Sequence, residues 1–362
     1  MKVLIVFSSS QLGGAERSLS RMALASSDIE YRLATIKAEG PWCEWVRSEG
    51  KEPLVFGTDR SHGDGGMLGA MVRLLLYLRA HPVDAVYVCG VRASFWLRLF
   101  RFSIPSTKLV HGVRWNPISK SRLDRFFRLI ERATNPLIDA WITNSKAAKD
   151  TLIEQCGIAG EHVYVIYNGV DTLPDVLPNF NDRSLEVLTV ANLNPRKGHR
   201  EYLQVIQAVV RRVPGAHFVF VGRDDMKGAI QEAIEEADLD AYVSYEGFQQ
   251  DISPFLRSAR VFVLPSIWGE GCPTSILEAF SFALPVIAHG IDGVPELIDN
   301  KIDGYVVQPH APALANLIED LLLDSLKAKE MGMRGRKKIA DRFTKDTCAR
   351  EHMNVFCRVV DK

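Results

Sequence analysis

Short apolar runs alternate with longer stretches of helical spacing along the whole chain, and this alternation restricts the fold more than any other feature. Runs rich in Val, Ile, Leu, Tyr and Phe fall at residues 3–7, 31–36, 85–89, 108–111, 140–143 and 164–167. A second set falls at 185–191, 217–221, 242–245, 260–264, 285–289 and 304–307. The gaps carry helix-length patterns, for example at 67–80 and 197–213. Strand–helix alternation of this kind predicts parallel sheets covered by helices on both faces. The two sets restart across a Pro-, Asp- and Asn-rich stretch at about residues 171–181, which reads as a linker. A chain of 362 residues is long enough for two cores. Two domains are therefore expected, 1–170 and 171–340. Ligands of such sheets lie at the carboxyl ends of the strands, so two facing domains would place a site in the cleft between them.

The formal net charge is zero, which gives no global attraction to nucleic acid. The charge is uneven, however. Between Arg92 and Arg132 there are ten Lys/Arg against Asp124 and Glu131. Phe95, Trp96, Phe100, Phe102, Trp115, Phe126 and Phe127 are interleaved with them. Such a segment reads either as a face for an anionic membrane surface or as buried rings beneath a solvated rim. The six cysteines have no C-x-x-C pair and no metal-ligand spacing, as expected for reduced thiols of a cytoplasmic protein. The apolar start at 1–7 is too short for a signal sequence and reads as a first strand. No window reaches the roughly 18 uncharged apolar residues of a spanning helix. The expected location is cytoplasmic, with peripheral attachment to the inner face of the membrane if the basic segment meets lipid.

The densest chemistry lies in Pro265-Ser266-Ile267-Trp268-Gly269-Glu270-Gly271-Cys272-Pro273-Thr274-Ser275-Ile276-Leu277-Glu278-Ala279. A buried strand precedes it, and Ile276, Ala279, Phe280 and Ala283 follow at helical spacing. Pro273 suits the first turn of that helix, where its missing N–H costs nothing. A strand, a tight turn and a helix N-terminus offer backbone N–H groups and a positive dipole end to an anion such as a diphosphate. Glu270 sits in the turn beside that position. Glu278, two helical turns on, is suited to accept hydrogen bonds from a vicinal diol such as a ribose.

Glu270 and Glu278 resemble the E-x7-E element of the retaining GT-B glycosyltransferases of the nucleotide-sugar-dependent family 4, and the resemblance extends over essentially the whole chain. It implies an α/β fold of the GT-B type, two Rossmann-like domains with parallel sheets facing across a cleft. It also implies that residues 341–362 return as a helix to the first domain. Leu12-Gly13-Gly14-Ala15-Glu16 resembles the G-G-x-E loop that shapes the donor pocket, and His111 resembles the histidine beside the donor sugar and its leaving phosphate. Asn192-Leu193-Asn194-Pro195-Arg196-Lys197-Gly198 is similar to the diphosphate loop, with Lys197 at the lysine position and Asn192 where an arginine is usual. Arg196 is the candidate to supply that missing charge.

The loops at 219–224 and 245–248 resemble those around the base, while the glycines of 288–296 and Glu296 read as structural. The implied catalytic set is His111, Glu270 and Lys197. The implied donor-binding set is Gly13, Gly14, Asn192, Arg196, Lys197, Gly271, Cys272, Pro273, Thr274 and Glu278. No metal and no cofactor is expected, only a nucleotide-sugar substrate, with UDP favoured over GDP. The expected partner is a glycan or lipid-linked acceptor, with no nucleic acid. The implied activity is retaining sugar transfer in cell-surface polysaccharide or glycolipid synthesis. A sugar-nucleotide epimerase or phosphorylase on the same architecture, and a non-catalytic sugar-nucleotide-binding protein, are the alternatives.

Overall fold

The computed structural model describes residues 1–58, 64–114, 129, 131–171, 174–309 and 312–361. Trp115, Lys120, Arg122, Arg125, Phe126, Phe127 and Arg128, which made the basic segment notable, lie outside the described residues. The chain divides into two compact units: Met1–Gly169 with Lys345–Lys362, and Val170–Thr344.

The first unit runs β1 (Lys2–Phe7), α1 (Gly14–Ala25), β2 (Glu30–Thr35), α2 (Pro41–Ser48), β3 (Leu54–Val55) and α3 (Asp64–Ala80). It continues β4 (Ala85–Cys89), α4 (Val91–Leu99), β5 (Lys108–Val113), β6 (Ala140–Thr143), α5 (Lys146–Cys156) and β7 (Val163–Val165). These strands form one parallel sheet in the order β3-β2-β1-β4-β5-β6-β7. The strands are apolar at successive positions because each face is covered. Val3, Ile5 and Phe7 of β1 pack with Leu19 and Met22 of α1 and Trp42 and Val46 of α2. Leu4 and Val6 point the other way, into a core with Met71 and Leu74 of α3, Leu97 of α4 and Leu152 of α5.

The second unit runs β8 (Glu186–Val190), α6 (His199–Val210), β9 (His217–Val221), α7 (Ala229–Glu236), β10 (Val243–Tyr245) and α8 (Ser253–Ser258). It continues β11 (Val261–Leu264), α9 (Thr274–Ser281), β12 (Val286–His289), β13 (Gly304–Val307), α10 (Ala313–Leu323) and α11 (Ser325–Arg342). Its parallel sheet has the order β10-β9-β8-β11-β12-β13. The last helix, α12 (Lys345–Val360), belongs to the first unit, where Ala349, Val355, Phe356 and Val359 enter the core on the α1 and α2 side. In both sheets the order reverses once, between β1 and β4 and between β8 and β11. Loops leaving the carboxyl ends of strands at such a reversal diverge and leave a crevice for a ligand.

The first unit also buries a cation. Arg98 of α4 is 1% exposed. Its Nη1 donates to Glu131 Oε2 at 2.6 Å and Thr134 Oγ1 at 2.8 Å. Its Nη2 donates to Ser94 Oγ at 3.0 Å and His111 Nδ1 at 3.1 Å. The Glu131 side chain is 16% exposed, so removing the buried Arg98 strands a carboxylate that is mostly out of water. Arg98→Ala is therefore expected to destabilise the unit by about 3–5 kcal/mol, read as a lowered denaturation midpoint. An unchanged midpoint would show that Glu131 finds water at no cost.

Candidate active site

Two loops flank the reversal in the second sheet, residues 191–198 after β8 and 265–273 after β11. The first turns sharply at Gly198, whose φ is +68° and where a Cβ would lie 2.2 Å from the carbonyl oxygen of Pro265. Only glycine accommodates both demands. That contact lets the loops touch: Ile267 N donates to Arg196 O at 2.7 Å, and Arg196 Nη1 donates to Gly269 O at 3.0 Å. The Arg196 guanidinium also lies 5.9 Å from the centre of the Trp268 ring.

Lys197 and Glu270 meet across this junction. Lys197 Nζ donates to Glu270 Oε1 in a tight ion pair. The Ser266 hydroxyl donates to the same oxygen at 2.5 Å. Glu270 is 6% exposed, so its charge is held by these partners more than by water. An ammonium has three N–H donors, and this carboxylate takes one of them. Gly271, Cys272 and Pro273, the next residues of the turn, are buried.

The next helix, α9, starts at Thr274 with Pro273 at the capping position and no side-chain cap. Pro273 thus stands one residue outside the helix and not in its first turn. Ile276 N already bonds the Pro273 carbonyl at 3.2 Å, and the amides before it carry the positive end of the helix dipole. Glu278 lies half-buried further along the same helix. Lys197, Arg196, Glu270 and the 271–274 turn are thus gathered at one carboxyl-end crevice of the second unit.

Other expected site residues fall differently. Asn192 Oδ1 accepts from Arg223 N at 3.0 Å, tying the loop after β8 to the loop after β9. Arg196 is occupied by Gly269 O and Trp268, so it braces the turn. In the first unit Gly13 precedes α1 and Gly14 begins it. A Cβ on Gly13 would lie 2.7 Å from Glu16 Oε2, so the glycine makes room for that carboxylate.

His111 is a correction. It is the fourth residue of β5, not the last, and is 2% exposed. Its ring lies 4.7 Å from that of Trp141 and accepts from Arg98. Burial, and then the Arg98 charge, push its pKa well below the ordinary histidine value. It is a neutral core residue and is not presented at a strand end. The side chain just beyond the end of β5 is Arg114, whose Nη2 donates to Tyr87 Oη at 2.7 Å and meets His352 Nε2 at 3.1 Å. Arg114 Nη1 donates to Asn168 Oδ1 at 3.1 Å. Sequence reasoning passed over Arg114, Ser266 and Asp292. The available signal was their position just beyond strand ends.

Among the described residues no group of three or more His, Cys, Asp or Glu is placed to hold a metal ion. No helix there is long and apolar enough to cross a membrane.

Two open parallel sheets of these orders define the GT-B class of fold. The Anabaena protein HepE, solved with UDP and glucose, shares that fold. Its TM-score is 0.85 at 22% identity, and the match covers 99% of this chain and 100% of that one. Sucrose-phosphate synthase of Thermosynechococcus elongatus gives a TM-score of 0.81 at 17% identity, covering 100% of each chain. The family description "Glycosyl transferases group 1" matches residues 177–338, and "Glycosyltransferase Family 4" matches residues 12–172. The chain belongs to these family 4, group 1 glycosyltransferases.

Curated relatives include the amylovoran biosynthesis glycosyltransferase AmsK of Erwinia amylovora. It is 26% identical over 183 residues, 48% of this chain and 45% of that protein. The UDP-Gal:alpha-D-GlcNAc-diphosphoundecaprenol alpha-1,3-galactosyltransferase of Escherichia coli is 27% identical over 214 residues, 55% of each. The chain thus spans about half the length of the curated relatives it matches.

Proposed function

We propose that the chain transfers a sugar from a nucleoside-diphosphate sugar to a glycan or lipid-linked acceptor, with retention at the anomeric carbon, in cell-surface polysaccharide or glycolipid synthesis. The observation that carries this reading is the Lys197–Glu270 pair beside the uncapped start of α9, at the strand-order reversal of the second sheet. Breaking the bond to a diphosphate develops negative charge on the leaving oxygen. An ammonium and oriented N–H groups already in place stabilise that charge without reorganising. Glu270, held at Oε1 by both Lys197 and Ser266, orients sugar hydroxyls next to the reacting carbon. Glu278 takes the ribose diol. The names of AmsK and the Escherichia coli galactosyltransferase support the substrate class, and the UDP of HepE supports a uridine nucleotide as the donor's carrier.

The test is donor turnover with UDP- and GDP-sugars, after a thermal-shift screen of the free nucleotides, with the anomer of the product read by NMR. UDP-sugar consumption with retention supports the reading. Nucleotide binding without turnover would leave a sugar-nucleotide sensor.

Two outcomes follow from the roles assigned. Glu278→Gln should raise the donor KM by roughly tenfold, one charge-assisted hydrogen bond's worth, with kcat nearly unchanged. A normal KM with a collapsed kcat would contradict that role. Activity should also persist in EDTA, because Lys197 and the start of α9 balance the diphosphate. Loss in EDTA with recovery on magnesium or manganese would overturn that claim.

A further inference from the structure

The turn that carries Glu270 is gripped from a third loop. Asp292, in the loop after β12, places Oδ2 2.7 Å from Gly269 N and 3.0 Å from Glu270 N. One carboxylate oxygen therefore accepts from two consecutive amides. His289, the last residue of β12, adds a second grip, with Nδ1 3.1 Å from Ser266 O. A carbonyl oxygen only accepts, so Nδ1 carries the proton and donates. Asp292 itself stands at φ +46°, backbone that normally calls for glycine. Gly293 is the next residue, yet the left-handed position is filled by a carboxylate. A strained position that holds a polar side chain on a neighbouring turn points to that side chain's use.

We propose that Asp292 is a positioning residue for sugar transfer, acting on Glu270 through the backbone. It rests on the functional reading above and goes beyond it. The two hydrogen bonds turn the amides of Gly269 and Glu270 toward the β12 loop. That fixes the direction in which the Glu270 side chain leaves the chain, toward Lys197 and Ser266. The turn is then held on both sides. Arg196 binds the Gly269 carbonyl from the β8 loop, and Asp292 binds the amides from the β12 loop. A carboxylate that must meet sugar hydroxyls within a fraction of an ångström needs such a fixed peptide plane.

Three variants separate this role from a merely structural one. Asp292→Gly keeps the backbone and removes the acceptor. Asp292→Asn keeps an acceptor oxygen and tolerates the left-handed region. Asp292→Ala removes the acceptor and retains the strain. The expected order is wild type and Asn close together, within about threefold in kcat. Gly and Ala should fall by on the order of 10–100-fold, the scale of a small misplacement of reacting groups. Donor KM and the UDP thermal shift should move less than about threefold. Hydrogen exchange supplies a readout without turnover: peptides covering 266–272 should lose protection in Asp292→Gly while the rest of the second unit keeps it.

An active Gly variant matching wild type overturns the inference and leaves the functional reading intact. Equal loss of kcat, UDP binding and melting temperature in every variant, Asn included, also overturns it, because that pattern is plain unfolding. Wild type that turns over no donor overturns the functional reading. In that case unchanged exchange at 266–272 in Asp292→Gly overturns the brace as well, and localised loss of protection sustains it.

Discussion

Lys197→Ala is expected to lower turnover by roughly 10²–10³-fold, the scale for loss of one preorganised charge that stabilises a transition state. The structure supplies two reasons for placing it in that range. The ammonium is already at the crevice, held by Glu270. Its removal also leaves Glu270, which is 6% exposed, with Ser266 as the remaining bond to its Oε1. The carboxylate then loses its fixed orientation as well as its counter-charge, so transition-state stabilisation and sugar positioning fail together. Lys197→Arg should not restore full activity, because a planar fork cannot replace a compact ammonium in this space. Steady-state kinetics on protein with a normal melting temperature is the measurement. A loss under about tenfold would mean that backbone N–H groups carry the leaving diphosphate without the lysine.

The second large effect is expected from pH. Three imidazoles are buried neutral: His111 and His352 in the first unit and His199 in the second. Burial, followed by the Arg114 charge, pushes His352 down to about 3. Burial, followed by the Lys197 charge, pushes His199 down to about 3. The hydrogen bonds agree for His352: Nδ1 donates to the Cys348 carbonyl at 2.8 Å, and Nε2 faces the Arg114 donor, so a second proton has no place.

In the unfolded chain these groups take up protons below about pH 6.5. The folded state refuses them, so their contribution is intact above about pH 6.5 and is lost as pH falls toward 3. Each costs about 1.4 kcal/mol per pH unit in that window. His199 and His352 alone remove roughly 4 kcal/mol by pH 5. Denaturation midpoints between pH 7 and 4 test this. Among the described residues neither ring nitrogen of His199 has a hydrogen-bond partner, so His199→Phe should flatten the acid slope of the second unit without disturbing a bond seen there. An unaltered slope in that variant would remove His199 from the account.

The sheets were readable because most of their strands are buried on both faces, and continuous apolar runs such as Val3-Leu4-Ile5-Val6 declare themselves. The edge strand β3 was not, since its two residues, Leu54 and Val55, sit between Pro53 and Gly57 with no periodicity to detect. His111 was misplaced for a specific reason. The apolar run was closed at residue 111, just before Gly112, but Gly112 and Val113 continue β5. A Cβ on Gly112 would come within 2.8 Å of Cys89 Sγ and of the Tyr87 ring, so close packing, not a turn, demands glycine. Glu270 and Lys197 were each legible from local spacing. Their contact with one another, across 73 positions, was not, because it depends on strands β8 and β11 being neighbours. Asp292 was hidden similarly: nothing around it in sequence names the two amides it binds.

Helix α12 has a consequence for how the molecule is made. The first unit comprises Met1–Gly169 and Lys345–Lys362, so its core is completed by the last helix of the described chain. Until α12 leaves the ribosome, the face holding Trp42, Trp45 and Val46 lacks Val355, Phe356 and Val359. The second unit, continuous from Val170 to Thr344, is synthesised whole before that point. Domains of long chains usually fold in order of synthesis. Here the unit that begins first finishes last, and an apolar half-core must be kept from misassociation throughout the elongation of its neighbour.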